Sequence, residues 1–94
     1  MNDQRRTVQD ILMERLETIQ GISEITAEHL RLTQKQSGMQ VLDMSEDEDD
    51  PGVAREMGRT EGALETCEEK IDALERRLAE LDEELEAKVE GGET

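Results

Sequence analysis

The fold is decided by residues 57–88, MGRTEGALETCEEKIDALERRLAELDEELEAK, in which one set of mostly apolar positions recurs at alternating steps of three and four. The full set is Met57, Thr60, Leu64, Cys67, Ile71, Leu74, Leu78, Leu81, Leu85 and Lys88. We call these residues the heptad seam. Heptad spacing aligns side chains on one narrow helix face, which another helix must cover. The central part of the seam is therefore predicted to bind a partner helix: Leu64, Cys67, Ile71, Leu74, Leu78, Leu81 and Leu85.

Composition favours an elongated helical protein over a compact globular domain. The chain has 94 residues, of which 33% are hydrophobic, and it contains no Phe, Trp or Tyr. Aromatic side chains supply the largest buried areas in ordinary cores, so a chain without them is expected to bury strips of Leu and Ile between helices. We predict a single all-α domain, in which two antiparallel helices form a hairpin or coiled coil.

The first helix is predicted from a cap and a broad apolar stripe. Thr7 is expected to cap it, with Asp10 completing a capping box three residues later. Apolar residues then follow at helical spacing: Val8, Ile11, Leu12, Leu16, Ile19, Ile22, Ile25, Leu30 and Leu32. A stripe of this width is typical of a helix that contacts two neighbours. Ser37 and Gly38 predict the end of this helix, which is expected over 7–36.

The rest of the chain is predicted as a loop, a second helix and a tail. Residues 37–49 form an acidic loop, after which Asp50 caps a helix over 50–90 that has Pro51 in its first turn. Residues 91–94 are expected to be a flexible tail. A lone hairpin of this size would leave the broad stripe of the first helix half exposed, so we expect hairpins to associate, most simply as a dimeric helical bundle.

Charges beside the seam indicate an orientation if two copies of the second helix pair. In a parallel homodimer, Lys70 of one copy faces Glu75 of the other, and Arg77 faces Asp82. Both pairs are attractive, whereas an antiparallel pairing of the same seam sets acid against acid. At this point the sequence leaves open whether the helices pair within one chain or between chains.

The charge of the chain excludes several kinds of partner. Eleven basic residues oppose 26 acidic ones, for a net charge of −15. Such a chain offers no basic surface for the phosphates of nucleic acid or for anionic lipid. We find no apolar run long enough to span a bilayer and no secretory signal, so we expect a cytoplasmic protein. The scarcity of lysine also fits a second interpretation, in which the acids are an adaptation to concentrated salt.

No catalytic, cofactor or metal site is predicted. The only histidine, His29, lies at a helical position that fits a bundle face, and the only cysteine, Cys67, lies in the seam as a buried thiol. Neither has the positioned third group that a nucleophile pair needs. The acidic loop fails as a calcium loop because Glu48 stands where glycine is required, so a solvated charge run is the simpler interpretation.

The acidic tip gives a second functional hypothesis. From Glu46 to Leu81, acids including Asp47, Asp49 and Asp50 precede a Leu-rich helix, and this resembles the transcript-cleavage (Gre) factors and the DksA/TraR family. The resemblance implies a hairpin whose tip enters the secondary channel of bacterial RNA polymerase, with these three aspartates acting at the polymerase metal. The chain departs from both families, since it lacks the zinc-type cysteines of one and the second globular domain of the other.

The sequence thus predicts a non-enzymatic coiled-coil oligomerisation or adaptor protein that mediates protein–protein assembly. Its partner is expected to be a second copy of the chain or another helical protein. The alternative is an accessory factor that presents the acidic tip to a nucleic-acid enzyme or to a basic protein.

Overall fold

The protein consists of two long α-helices that pack against each other, as seen in a computed structural model that describes residues 6–45 and 51–91. Helix α1 spans Val8–Ser45 and helix α2 spans Pro51–Glu90. The prediction of an all-α, two-helix hairpin is confirmed. Within the described residues, neither helix has a segment long and apolar enough to cross a membrane.

The start of α1 confirms the predicted capping box. The Thr7 backbone amide donates a hydrogen bond to Asp10 Oδ2 at 3.2 Å, and the Asp10 amide donates to Thr7 Oγ1 at 3.0 Å. The Ile11 amide donates to the Thr7 carbonyl at 3.1 Å, which closes the first helical turn. Two amides that the helix itself leaves unpaired are thereby satisfied.

The end of α1 differs from the prediction. The helix does not stop at Ser37 and Gly38 but continues to Ser45, so the loop predicted over 37–49 is wrong for residues 37–45. A glycine inside a helix costs only about 1 kcal/mol relative to alanine. Met39, immediately after it, is buried, and this packing outweighs the weak local signal to stop. Residues 46–50 lie outside the described part of the chain.

Helix α2 follows the prediction closely at both described ends. It begins at Pro51, in the first turn as expected, while the predicted cap Asp50 is outside the described residues. It ends at Glu90, and the amide of Gly91 donates to the carbonyl of Ala87 at 2.9 Å. Gly91 is the last residue described, so nothing tests the predicted flexible tail.

The chain divides into two compact units, each containing a segment of both helices. The terminal unit comprises residues 1–23 and 72–94, and the central unit comprises Glu24–Ile71. In each unit the two helix segments run antiparallel: residues later in α1 contact residues earlier in α2. Among the described residues of the terminal unit, the cross-helix ion pairs are Arg6–Glu84, Arg15–Asp82 and Glu14–Arg77. In the central unit, Lys35 pairs with Glu56, and His29 Nε2 lies 3.1 Å from Glu68 Oε2.

Each unit has its own small apolar core. In the terminal unit, Ile11 and Leu81 are both fully buried. In the central unit, Leu32, Leu64 and Cys67 form a buried cluster, against which further apolar side chains pack: Ile25 and Ala63. The aromatic-free sequence therefore buries strips of aliphatic side chains between two helices, as its composition predicts.

Candidate helix-binding surfaces

The heptad seam of α2 is covered by α1 of the same chain. All ten of its residues are buried or half-buried. Leu64 and Cys67 pack with Leu32 in the central unit, and a Cβ added at Gly21 would lie 3.4 Å from Leu74 Cδ1 in the terminal unit. In this structure the two helices therefore pair within one chain. A helix joined by a short connection is present at high effective concentration, which favours it over a second molecule.

The parallel pairing of two copies is not the arrangement of these charges in the hairpin. Arg77 binds Glu14 of α1 through Nε at 2.9 Å and Glu80 of its own helix through Nη1 at 3.0 Å. Asp82 binds Arg15 of α1 at 2.6 Å. Two of the four charges that were expected to orient a homodimer are therefore engaged with α1.

A matching seam in α1 was missed by sequence reasoning. Its residues recur at the same alternating steps of three and four, and every one is buried or half-buried: Val8, Ile11, Arg15, Thr18, Ile22, Ile25, His29, Leu32, Gln36 and Met39. The signal was hidden because four of the ten are polar. The seam can be recognised by continuing the alternating three- and four-residue steps from Val8 and Ile11 through these polar positions. The same steps reach Met39.

Three of the four polar residues of the α1 seam, Arg15, Thr18 and His29, have partners among nearby groups. Arg15 Nε donates to Asp82 Oδ1 at 2.6 Å, and His29 Nε2 lies 3.1 Å from Glu68 Oε2. Thr18 is buried, and its hydroxyl donates to the Glu14 carbonyl at 2.8 Å. These contacts allow a helix to carry polar residues at core positions without leaving buried groups unpaired.

Glu14 is the centre of the largest cross-helix charge network. It accepts hydrogen bonds from Arg77 Nε at 2.9 Å and from Arg6 Nη2 at 2.6 Å. The hydrogen bond from Arg77, followed by that from Arg6, holds the pKa of the Glu14 carboxyl below its ordinary value. The pKa of Arg77 is raised in turn by its hydrogen bonds to Glu14 and Glu80. The network ties α1 to α2 within the terminal unit.

We expect Glu14→Gln to destabilise the protein more at neutral pH than in acid. Because the pKa of Glu14 is lower in the folded state than in the unfolded state, its contribution is fully present above the ordinary pKa of a glutamate. That contribution is lost as the pH falls through the folded pKa. Urea unfolding of variant and wild type across this range should show their difference in free energy of unfolding shrinking as the pH falls.

The matched control for this prediction is Glu17→Gln, which neutralises an exposed acid on the same helix. It should change the free energy of unfolding little. A difference between Glu14→Gln and wild type that stays constant down to acid pH would show that ionised Glu14 does not stabilise the hairpin.

The part of α1 that α2 does not cover remains strongly apolar in the terminal unit. Leu12 is 45% exposed, Met13 59%, Leu16 53% and Ile19 39%. Leu12, Leu16 and Ile19 are spaced at i, i+4 and i+7, so they form one ridge on the helix, with Met13 beside it. We call these four residues the outer face of α1. Leu12, Leu16 and Ile19 belong to the broad stripe that the sequence predicts, whereas Met13 was not part of that prediction.

The remaining predictions about sites concern Cys67, metal binding and the acidic tip. Cys67 is a buried free thiol in an apolar cluster, as its seam position predicts. Within the described residues, no group of His, Cys, Asp and Glu is arranged to hold a metal ion. The acidic-tip residues Asp47, Asp49 and Asp50 lie outside the described part of the chain, so the resemblance to polymerase-binding factors acquires no structural support.

Comparison with protein-family models, curated proteins and solved structures finds no match for this chain. Its function is therefore inferred from the surfaces of the hairpin. Among the described residues, the outer face of α1 combines large apolar side chains, helical spacing and exposure.

Proposed function

We propose that this protein is a non-enzymatic coiled-coil assembly protein or adaptor that binds a further helix through the outer face of α1. The observation that carries this proposal is the exposure of Leu12, Met13, Leu16 and Ile19 in a hairpin whose seams already cover each other. Apolar side chains at i, i+4 and i+7 are the anchors by which a helix packs against another helix.

Burial of this face would contribute substantially to an association. Full burial of a Leu or Ile side chain is worth about 1.5–3 kcal/mol, and the side chains of the outer face are roughly half exposed. One added helix would convert the two-helix arrangement of the terminal unit into a three-helix bundle. A second hairpin would convert it into a four-helix bundle. The partner is a second copy of the chain, which would give a dimer, or a helix of another protein.

The charge of the chain favours protein partners. With a net charge of −15, the protein would repel nucleic acid and anionic membrane surfaces, and we place its action among proteins of the cytoplasm. The acidic-tip hypothesis is the competing explanation, since it assigns activity to Asp47, Asp49 and Asp50 instead of to the outer face.

The experiment compares the two surfaces in cells that express the tagged full chain. The first variant combines Leu12→Gln with Leu16→Gln in the outer face. The second, the tip variant, combines Asp47→Asn, Asp49→Asn and Asp50→Asn. Leu30→Gln is the control, because Leu30 is 57% exposed but lies in the central unit. Complexes are cross-linked, purified and sized by light scattering. We expect the Leu12/Leu16 variant to lose its complexes, and the tip variant and the control to retain them.

The reverse outcome, in which the tip variant alone loses its complexes, would replace this proposal with the accessory-factor alternative. Equal complexes in all variants would show that the outer face is not the assembly surface. Leu and Gln have similar helix propensity, so the changes at exposed positions should leave the circular dichroism spectrum unchanged.

A further inference from the structure

One edge of α2 lies beside the outer face of α1 in the terminal unit. Arg15 is three residues after Leu12 and four before Ile19, so it lies next to both on the helix surface. The Arg15 side chain reaches α2 and binds Asp82 at 2.6 Å. The edge of α2 that contains Asp82 therefore borders the apolar ridge.

This edge of α2 is exposed and acidic. Its residues recur at alternating steps of three and four and are all exposed: Asp72, Glu75, Ala79, Asp82, Glu86 and Val89. Asp72 is paired with Arg76, and Asp82 with Arg15. Among the described residues, Glu75 and Glu86 form no ion pair with a cation. Arg77, one of the half-buried bases of this segment, is bound to Glu14, which lies on the other side of the α1 seam from the ridge.

We propose that the outer face of α1 and the acidic edge of α2 together bind a basic amphipathic helix of another protein. This inference rests on the proposed function and specifies its partner. The apolar stripe of such a helix would cover Leu12, Leu16 and Ile19, and its flanking Lys or Arg side chains would lie against Glu75 and Glu86. Complementary charges raise the association rate and select the partner, while the apolar contacts supply most of the affinity.

Charge disfavours a second copy of the chain at this surface. Each copy carries a net charge of −15. A homodimer through the outer face would bring the acidic edge of one copy close to the acidic edge of the other. Like charges brought together at an interface reduce affinity, most strongly at low ionic strength. A partner with the opposite charge meets the same apolar ridge without this repulsion.

The experiment uses the purified full chain and synthetic helical peptides. The first peptide has a Leu stripe at i, i+3, i+4 and i+7 with Lys on both flanks. The second has the same stripe with Glu in place of Lys, and the third contains the residues of the first in scrambled order. Binding is measured by fluorescence anisotropy of labelled peptide, and the mass of the protein alone by sedimentation equilibrium.

We expect the Lys-flanked peptide to bind at least about tenfold more tightly than either of the others. Leu12→Gln with Leu16→Gln should weaken binding by about tenfold or more, as loss of central anchors does. Glu75→Gln with Glu86→Gln should weaken it by a smaller factor and reduce its dependence on salt. The matched controls are Leu30→Gln and the pair Glu65→Gln with Glu69→Gln, which are exposed acids of the central unit.

Several outcomes would overturn the inference, and they separate it from the proposed function. Equal binding of the scrambled peptide would mean non-specific attraction to an acidic chain. Tight binding of the Glu-flanked peptide, or dimerisation that Leu12→Gln with Leu16→Gln abolishes, would refute a basic partner but leave the assembly function standing. A monomer that binds none of the peptides would count against both.

Discussion

Leu81→Asp is expected to separate the two helices and to abolish cooperative unfolding. Leu81 and Ile11 are both fully buried in the terminal unit. The substitution removes a Leu from a packed core, which typically costs about 2–5 kcal/mol, and adds a carboxylate without a buried cationic partner. Ordinary domains have only about 5–15 kcal/mol of stability, and a two-helix protein of this size belongs at the low end.

The measurement is far-ultraviolet circular dichroism with thermal unfolding. Leu30→Asp is the matched control, because it makes the same substitution at a Leu that is 57% exposed. The control should lose only about 1 kcal/mol or less, from the lower helix propensity of Asp. A Leu81→Asp variant that melts cooperatively close to the wild-type temperature would show that the core around Leu81 does not hold the hairpin together.

The second large effect is a gain in stability from replacing three helix glycines. Gly38, Gly58 and Gly62 all lie inside helices, and a Cβ added at any of them would meet nothing within 4 Å. Each glycine costs about 0.5–1 kcal/mol relative to alanine. Gly38→Ala, Gly58→Ala and Gly62→Ala together should therefore raise the free energy of unfolding by about 1.5–3 kcal/mol, and the melting temperature by roughly 10 °C.

The other glycines provide the contrast for this prediction. Gly91 follows the last residue of α2, and a Cβ there would lie 3.1 Å from the Ala87 carbonyl oxygen, so Gly91→Ala should give no gain. Gly21 is left unchanged, because its added methyl group would touch Leu74 Cδ1 at 3.4 Å. If the triple variant melts no higher than wild type, the helical state of residues 38 and 58–62 is in doubt.

Local and periodic signals in the sequence predicted much of this hairpin. The capping box of Thr7 and Asp10 is determined by groups three residues apart, and the Leu-rich seam of α2 repeats without interruption, so both could be read directly. Pro51 in the first turn and Gly91 after the last similarly located the ends of α2. These features depend on neighbours in the same helix, and the sequence contains that information.

Features that depend on the other helix could not be predicted in the same way. Arg15 and His29 occupy core positions of α1 because acids of α2 lie within reach, and the sequence of α1 alone does not show those acids. Gly38 failed as a stop signal because Met39 is buried, a packing effect that outweighs local propensity. Leu12, Leu16 and Ile19 were predicted as part of a broad stripe, but only the packed helices show which apolar residues of that stripe stay exposed.

The burial of Cys67 makes its thiol a chemical reporter of local opening of the hairpin. It is the only cysteine in the chain, and its thiol is enclosed with Leu32 and Leu64 in the central unit. A buried thiol reacts faster when the helices part locally, so the modification rate reports how readily that opening occurs. The effects of partners, salt and substitutions on local opening of the hairpin can thus be compared through the rate of thiol modification. No probe has to be attached beforehand.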